Sequence, residues 1–461
     1  SFHQIFLYLF CALFILISWS VKSSIRYVTP SGAGLQNGSS WLHAFPANAL
    51  QNAINLSLVG DEVWVACGNY VTTNTSNRSI SFSMRNGVRI YGSFQGTEST
   101  LQQREFSCGP CSTLSGEIGF NGIADNSFHV ISNVNLNETA WLNGFIIEGG
   151  NDNRAATIAN GLGGGMYNNG GYSGGVCSPT IQHCIFRNNR AVFGGGIFNS
   201  GHSGGNANPI IRDCVITNNV ATDGGGGIDN FGLGGNASPS IINCIISDNT
   251  ALTAGGMYCW GGNANGNSSP QLLNCVIVNN TATNGNAGGI IADNANSGGG
   301  NSGTSNPTLR NCILWGNTAS LLGPQFFNKG SATFTATYSI INLQAQNFPH
   351  VIAGSGDGNI FTNPQFVSIT NAIGIDNCWL TPDDGLRLQV SSSGINSGSN
   401  MALPVTDIAF GNRMVNQYVD IGAYEYHSGL NTRLFLQGYY IANGFMSPVL
   451  LNQQILSNMD S

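Results

Sequence analysis

The chain has little charge. Of its 461 residues only 8% are Asp, Glu, Lys or Arg, about a third of ordinary usage. That scarcity excludes a Lys/Glu-rich helical bundle or coiled coil, whose exposed faces need charge. Only 15 residues are Lys or Arg, and the net charge is −7, so no basic face is available for nucleic acid. Long hydrophobic runs are also missing. The run Ile5 to Ile17 has about 13 residues, short of a comfortable bilayer span. Helical periodicity is absent from the middle of the chain. Disorder does not fit either, because 41% of the residues are hydrophobic. What is abundant is glycine, 63 residues, with no collagen period, together with asparagine. A β-rich, turn-dense chain with an amide- and hydroxyl-rich surface remains.

The central region repeats. Pro is followed five residues later by Cys and five further by Asn: Pro179, Cys184, Asn189; Pro209, Cys214, Asn219; Pro239, Cys244, Asn249; Pro270, Cys275, Asn280; Pro307, Cys312, Asn317. Ala stands two residues after each Asn. Four of the five units then reach a glycine run ending in Ile197, Ile228, Met257 or Ile290. Length varies only between Ala and the next Pro, as loops on one face should. A unit of this size cannot bury its own apolar side, so successive turns must stack in register. Equivalent residues then form ladders about 4.8 Å apart. The Asn column suits amide-to-amide bonding and left-handed backbone angles, and the Cys column suits buried thiols.

These repeats and their flanks resemble a right-handed parallel β-helix of the pectate-lyase-like superfold. The Cys-x-x-x-x-Asn-x-Ala pattern with its glycine run is similar to repeats of polymorphic outer-membrane proteins. Gly385 to Leu388, Ile395 to Gly398 and Asp420 to Tyr426 resemble a choice-of-anchor Q segment. The expected fold is therefore all-β, a single-stranded right-handed parallel β-helix. Its N-terminal opening would be covered by an amphipathic helix over 47–58, with Leu50, Ile54 and Leu58 on one face. The expected organisation is a leader over 1–23, cleaved after Ser20 or Ser23, and a cap with first coils over 25–125. Repeat coils over 126–345 and C-terminal coils with a cap over 346–426 follow. A linker or the start of a truncated module occupies 427–461. The initial Ser reads as the start of a fragment.

Three features bear on function. The residues after the glycine runs, Tyr167, Phe198, Asp229, Tyr258 and Ile291, should face outward if Ile197 and its equivalents face inward. Such rings either stack on one another or, with Trp260, form a platform for sugar faces. The residues after each column cysteine, Ile185, Val215, Ile245, Val276 and Ile313, make an external apolar stripe. It reflects β-propensity or a packing surface for a loop, subunit or partner. Arg187, Arg190, Arg212 and Arg310, and Asp213, Asp223, Asp229 and Asp248, scatter over different repeat offsets, and His183 could pair with Asp213. Cys108-Gly-Pro-Cys111 has redox-motif spacing without its context, and reads as a local disulfide or two free thiols.

The expectation is a bacterial, exported protein, secreted or held at the outer surface, non-catalytic and monomeric. Its partner would be a polysaccharide or cell-surface glycan. A polysaccharide lyase or glycoside hydrolase, and a passive stalk, are the alternatives. No catalytic residue and no cofactor is assigned, and calcium has no supporting motif.

Overall fold

Short β-branched triplets cannot pair within one repeat, so each pairs with its equivalent in the next. A computed structural model describes residues 23–119, 122–295, 303–343, 352–353, 358–427, 440–441 and 445–446. The expected leader thus lies outside the described residues, apart from Ser23. The described residues up to Tyr426 form one unit; of the second, 427–461, the described residues are His427 and the antiparallel pair Tyr440–Ile441 and Phe445–Met446.

The first unit is a parallel β-helix. Four sheets of eleven, nine, six and seven strands run its length, and every strand ladder in them is parallel. One turn visits them in order, for example Ile210–Arg212, Val215–Thr217, Val220–Gly224 and Ile228–Phe231. The crossovers take the right-handed sense that twisted parallel strands require. Register follows the repeat: Ile185 pairs with Val215, Ile245, Val276 and Ile313 in succession.

The two roles assigned to the asparagine column belong to neighbouring residues. Asn188, Asn218, Asp248 and Asn279 take the left-handed angles (φ 55 to 57°), as do His183, Asp213, Asn243, Asn274 and Asn311 before each cysteine. The buried ladder is carried by Asn189, Asn219, Asn249, Asn280 and Asn317. Each Nδ2 donates to the Oδ1 of the next, at 2.9 to 3.0 Å. Each Nδ2 also donates to a carbonyl of the preceding turn, as Asn219 does to Phe186 (2.9 Å). A second, unforeseen ladder lies in the fourth sheet, where Asn133 donates to Asn168, Asn168 to Asn199 and Asn199 to Asn230, at 2.8 to 3.0 Å. Cys184, Cys214, Cys244, Cys275 and Cys312 are free, fully buried thiols. Each donates to the carbonyl two residues earlier (3.1 to 3.3 Å).

The N-terminal helix is shorter than expected. It covers Leu50–Leu56 after a 3-10 turn over Ala47–Ala49. Leu50, Ala53 and Ile54 join the core. Ser57 takes extended angles and its hydroxyl bonds to Ala53 O, so Leu58 leaves the helix and is 59% exposed.

Residues 358–426, within the span 346–426 expected to supply C-terminal coils and a cap, lie along the flank of the solenoid. Phe366, Trp379, Leu380, Leu386, Leu388, Ile408, Ile421 and Tyr424 pack on Ile185, Val215, Ile245, Val276, Ile313 and Ile340. The external apolar stripe is thus covered by the chain's own strap. Burying each such aliphatic side chain is worth about 1.5–3 kcal/mol. Corner asparagines fasten it: Asn243, Asn279 and Asn311 donate to Thr406 O, Ile369 O and Ser399 O at 2.7 to 2.9 Å.

Cys108 and Cys111 are neither bonded to each other nor free. Cys108 joins Cys378 in the strap, 270 residues on, and Cys111 joins Cys67. A partner on another segment holds each thiol, which the local spacing could not reveal.

Candidate functional site on the fourth sheet

In each fourth-sheet strand the first and third residues face the core, so the second and fourth face out. Two columns result. One runs Ser132, Tyr167, Phe198, Asp229, Tyr258, Ile291, Phe327, and the other Val134, Asn169, Ser200, Phe231, Trp260, Asp293, Lys329.

The rings do not form the exposed single column expected from the sequence. Tyr167 and Phe198 are buried, at 6% and 2% exposure, packed with Leu162, Phe193 and Phe231. Bulky neighbours in register press on one another and exclude water. Instead, a diagonal row crosses the sheet. Tyr167 meets Phe198 (centroids 5.9 Å), Phe198 meets Phe231 (5.9 Å), and Phe231 meets Trp260 edge-on (5.1 Å). Phe231 and Trp260 are its partly exposed end. Tyr258 is also partly exposed but stands beside Ile291 and Phe327.

Asp229 sits in the first column between Phe198 and Tyr258. It is 2% exposed, and no described residue donates a hydrogen bond to it. Burial pushes its carboxyl well above the usual carboxylate range, and Asp223 adds to the rise. Burial raises Asp223 as well. The Tyr258 phenol donates to Asp293 Oδ2 (2.7 Å), and Lys329 Nζ stands 2.9 Å from the same oxygen. Burial, then the charge of Asp293 that accepts its hydrogen bond, keep that phenol protonated. Space for this group comes from glycine. A Cβ on Gly224 would stand 2.8 Å from the Tyr258 ring, and one on Gly225 (φ +65°) 2.7 Å from Asp229 Cβ.

A contrasting carboxylate ends the row. Asp152 accepts from Arg154 Nε and Nη2 (2.7 and 2.8 Å) and from Gly161 and Leu162 N–H (2.7 and 3.0 Å). Burial opposes its charge, but these donors and His129 hold the carboxyl below its ordinary value. The His129 ring lies 5.4 Å from Tyr167. Two acids near one row of rings are thus pushed in opposite directions, Asp152 to the charged form and Asp229 to the neutral one.

The other scattered ions are structural. Asp213 accepts from Gln182 Nε2, Arg212 Nε and Asn243 Nδ2 at 2.9 to 3.1 Å. His183 Nε2 lies 4.0 Å from it, and burial holds that imidazole down at about 4. His183 packs at a tilt against Phe410 of the strap (centroids 4.8 Å). A concavity of about 270 Å³ lies between the loop 105–111 and the strap, lined by Glu105, Arg187, Asn377 and Trp379. Its cation is committed, since Arg187 Nε is 2.7 Å from Glu148. Among the described residues no three His, Cys, Asp or Glu side chains are arranged to hold a metal ion.

Repeat offsets counted from cysteine hid the acidic group. Asp223 lies in the third sheet, Asp229 in the first outward column and Asp293 in the second. Only the sharp turn between third and fourth sheets brings them around Tyr258. Phe231 was missed for a related reason, because it stands two residues beyond the column that was followed.

No family model matches the chain, and no curated protein matches it. Among solved structures, a pectate lyase, Pel9A, aligns with a TM-score of 0.52 at 14% identity, covering 88% of this chain and 98% of that one. A rhamnogalacturonan lyase aligns with a TM-score of 0.32 at 12% identity, covering 80% of this chain and 97% of that one. What the chain shares with the first of these is its architecture, the parallel β-helix.

Proposed function

We propose that this chain is a polysaccharide-contacting β-helix protein, displayed at a cell surface or secreted, whose contact surface is the outer face of the fourth sheet. The observation that carries the reading is the diagonal row ending in the partly exposed rings of Phe231 and Trp260. Rings held on a rigid sheet present flat apolar faces at little entropic cost, with polar groups beside them to fix orientation. The repeats' resemblance to surface proteins, and the anchor-like segment near Tyr426, support display outside the cell. The test is retention of the purified chain on immobilised polysaccharides. Phe231→Ala and Trp260→Ala should each weaken binding about tenfold, or ~1.4 kcal/mol. Unchanged retention in both variants would move the contact elsewhere.

A second reading, cleavage of the bound polymer, is favoured by Asp229. A buried carboxyl kept neutral beside a second carboxyl is the arrangement that protonates a glycosidic oxygen. Its test is the appearance of new reducing ends, lost in Asp229→Asn. If intact protein yields none while still binding, the chain is a binder only.

A further inference from the structure

We infer that the polymer held by the fourth-sheet face is an uncharged polysaccharide, neither a polyuronate nor a polycation. This rests on the polysaccharide-contacting reading and names the class of its ligand.

The inference follows from where the charges on this face are spent. A polyanion needs cations that are free to meet it. Lys329, in the second outward column, is ion-paired to Asp293. Arg154, at the other end of the ring row, is held by both oxygens of Asp152 and lies over the Phe128 ring, 4.0 Å from its centroid. Arg190 opens its third-sheet strand on the side next to the second sheet. The acid at the third-sheet edge of this face, Asp223, acts on Asp229 and Tyr258 and would repel a polymer of carboxylates.

A polycation is disfavoured for a different reason. Asp293 already faces Lys329 and Tyr258. Asp229 is enclosed between Phe198 and Tyr258, where a charged form would have to be desolvated. What the face offers is the partly exposed rings of Phe231 and Trp260 and the Asp229 carboxyl, which has no hydrogen-bond partner among the described residues; the Tyr258 hydroxyl is already given to Asp293. Sugar hydroxyls both donate and accept, so they can satisfy such groups without a charge on either side.

The test is native affinity electrophoresis of the full chain in gels containing three kinds of polymer. They are an uncharged β-glucan or galactomannan, polygalacturonate or alginate with calcium or with EDTA, and chitosan. Retardation by an uncharged polymer, with binding to both charged classes at least about tenfold weaker, is the expected result. Equal or stronger retardation by the polyanion, with or without calcium, or by chitosan, would overturn the inference while leaving polysaccharide contact intact. Retardation by none of the three would overturn polysaccharide contact itself. Asp223→Lys adds a cation at the rim and should bring polygalacturonate binding. A folded variant, by circular dichroism, that gains none would refute the charge argument.

Discussion

An amide buried in a solenoid finds its partners one turn up and one turn down. Asn219 donates to Asn249 Oδ1 and Phe186 O, and accepts from Asn189. Asn219→Ala therefore strands donors and acceptors above and below at once. At about 1–3 kcal/mol for each unsatisfied group, a loss of roughly 2–5 kcal/mol is expected, read from the thermal or denaturant midpoint. A loss no larger than that of a surface Asn→Ala control would contradict the ladder. Asp229 behaves oppositely. Its folded carboxyl is raised above the unfolded value of about 3.9, so the stability it contributes is complete below that pH and declines as pH rises. Asp229→Asn should accordingly be more stable than the natural chain at neutral pH, with the gap closing as the pH falls toward ~4. A gap independent of pH would refute the assignment. Neither effect could be read from composition. The ladder column was legible because its offset never changes, whereas burial of Asp229 depends on rings in neighbouring turns.

At the scale of elements, the four sheets were legible because the chain states them repeatedly. The Pro, Cys, Asn and Ala offsets are constant, and each constant offset became a ladder. The strap was not legible, because it carries no period and few regular hydrogen bonds. Only the outward stripe of Ile185, Val215, Ile245, Val276 and Ile313 hinted that something must lie there. The strap holds two carboxyls whose environment opposes charge. Burial raises Asp384 to about 7 against the help of Tyr424 and backbone donors, and burial with Asp420 raises Glu425 to about 8 against Arg413. Both bind protons more tightly folded than unfolded. Their contribution is full below about pH 4 and is lost as pH rises through the folded values. Limited proteolysis within 358–426 should therefore be slow at mildly acid pH and faster above about pH 8. Equal rates would remove these two acids from the account. Ile245→Lys, which puts a cation under the strap, should open it at every pH without unwinding the coils.

At the scale of the whole molecule, one disulfide joins neighbouring parts of the winding and the other ties the winding to its covering. Peptide mapping without reduction should link Cys67 to Cys111 and Cys108 to Cys378. Recovery of a Cys108–Cys111 bridge would refute this pairing. Replacing Cys108 and Cys378 by Ser should lower stability by up to about 5 kcal/mol, the scale for closing a very long loop.

That second bridge also bears on the order in which the chain is made. A solenoid can wind turn by turn from its N-terminal end as synthesis proceeds, but Cys108 has no native mate until Cys378 arrives. During that interval its nearest thiol is Cys111, three residues away. In the folded chain the Cys67–Cys111 bond occupies this competitor. The bond within the winding thus leaves Cys108 to the one clasp that reaches the strap.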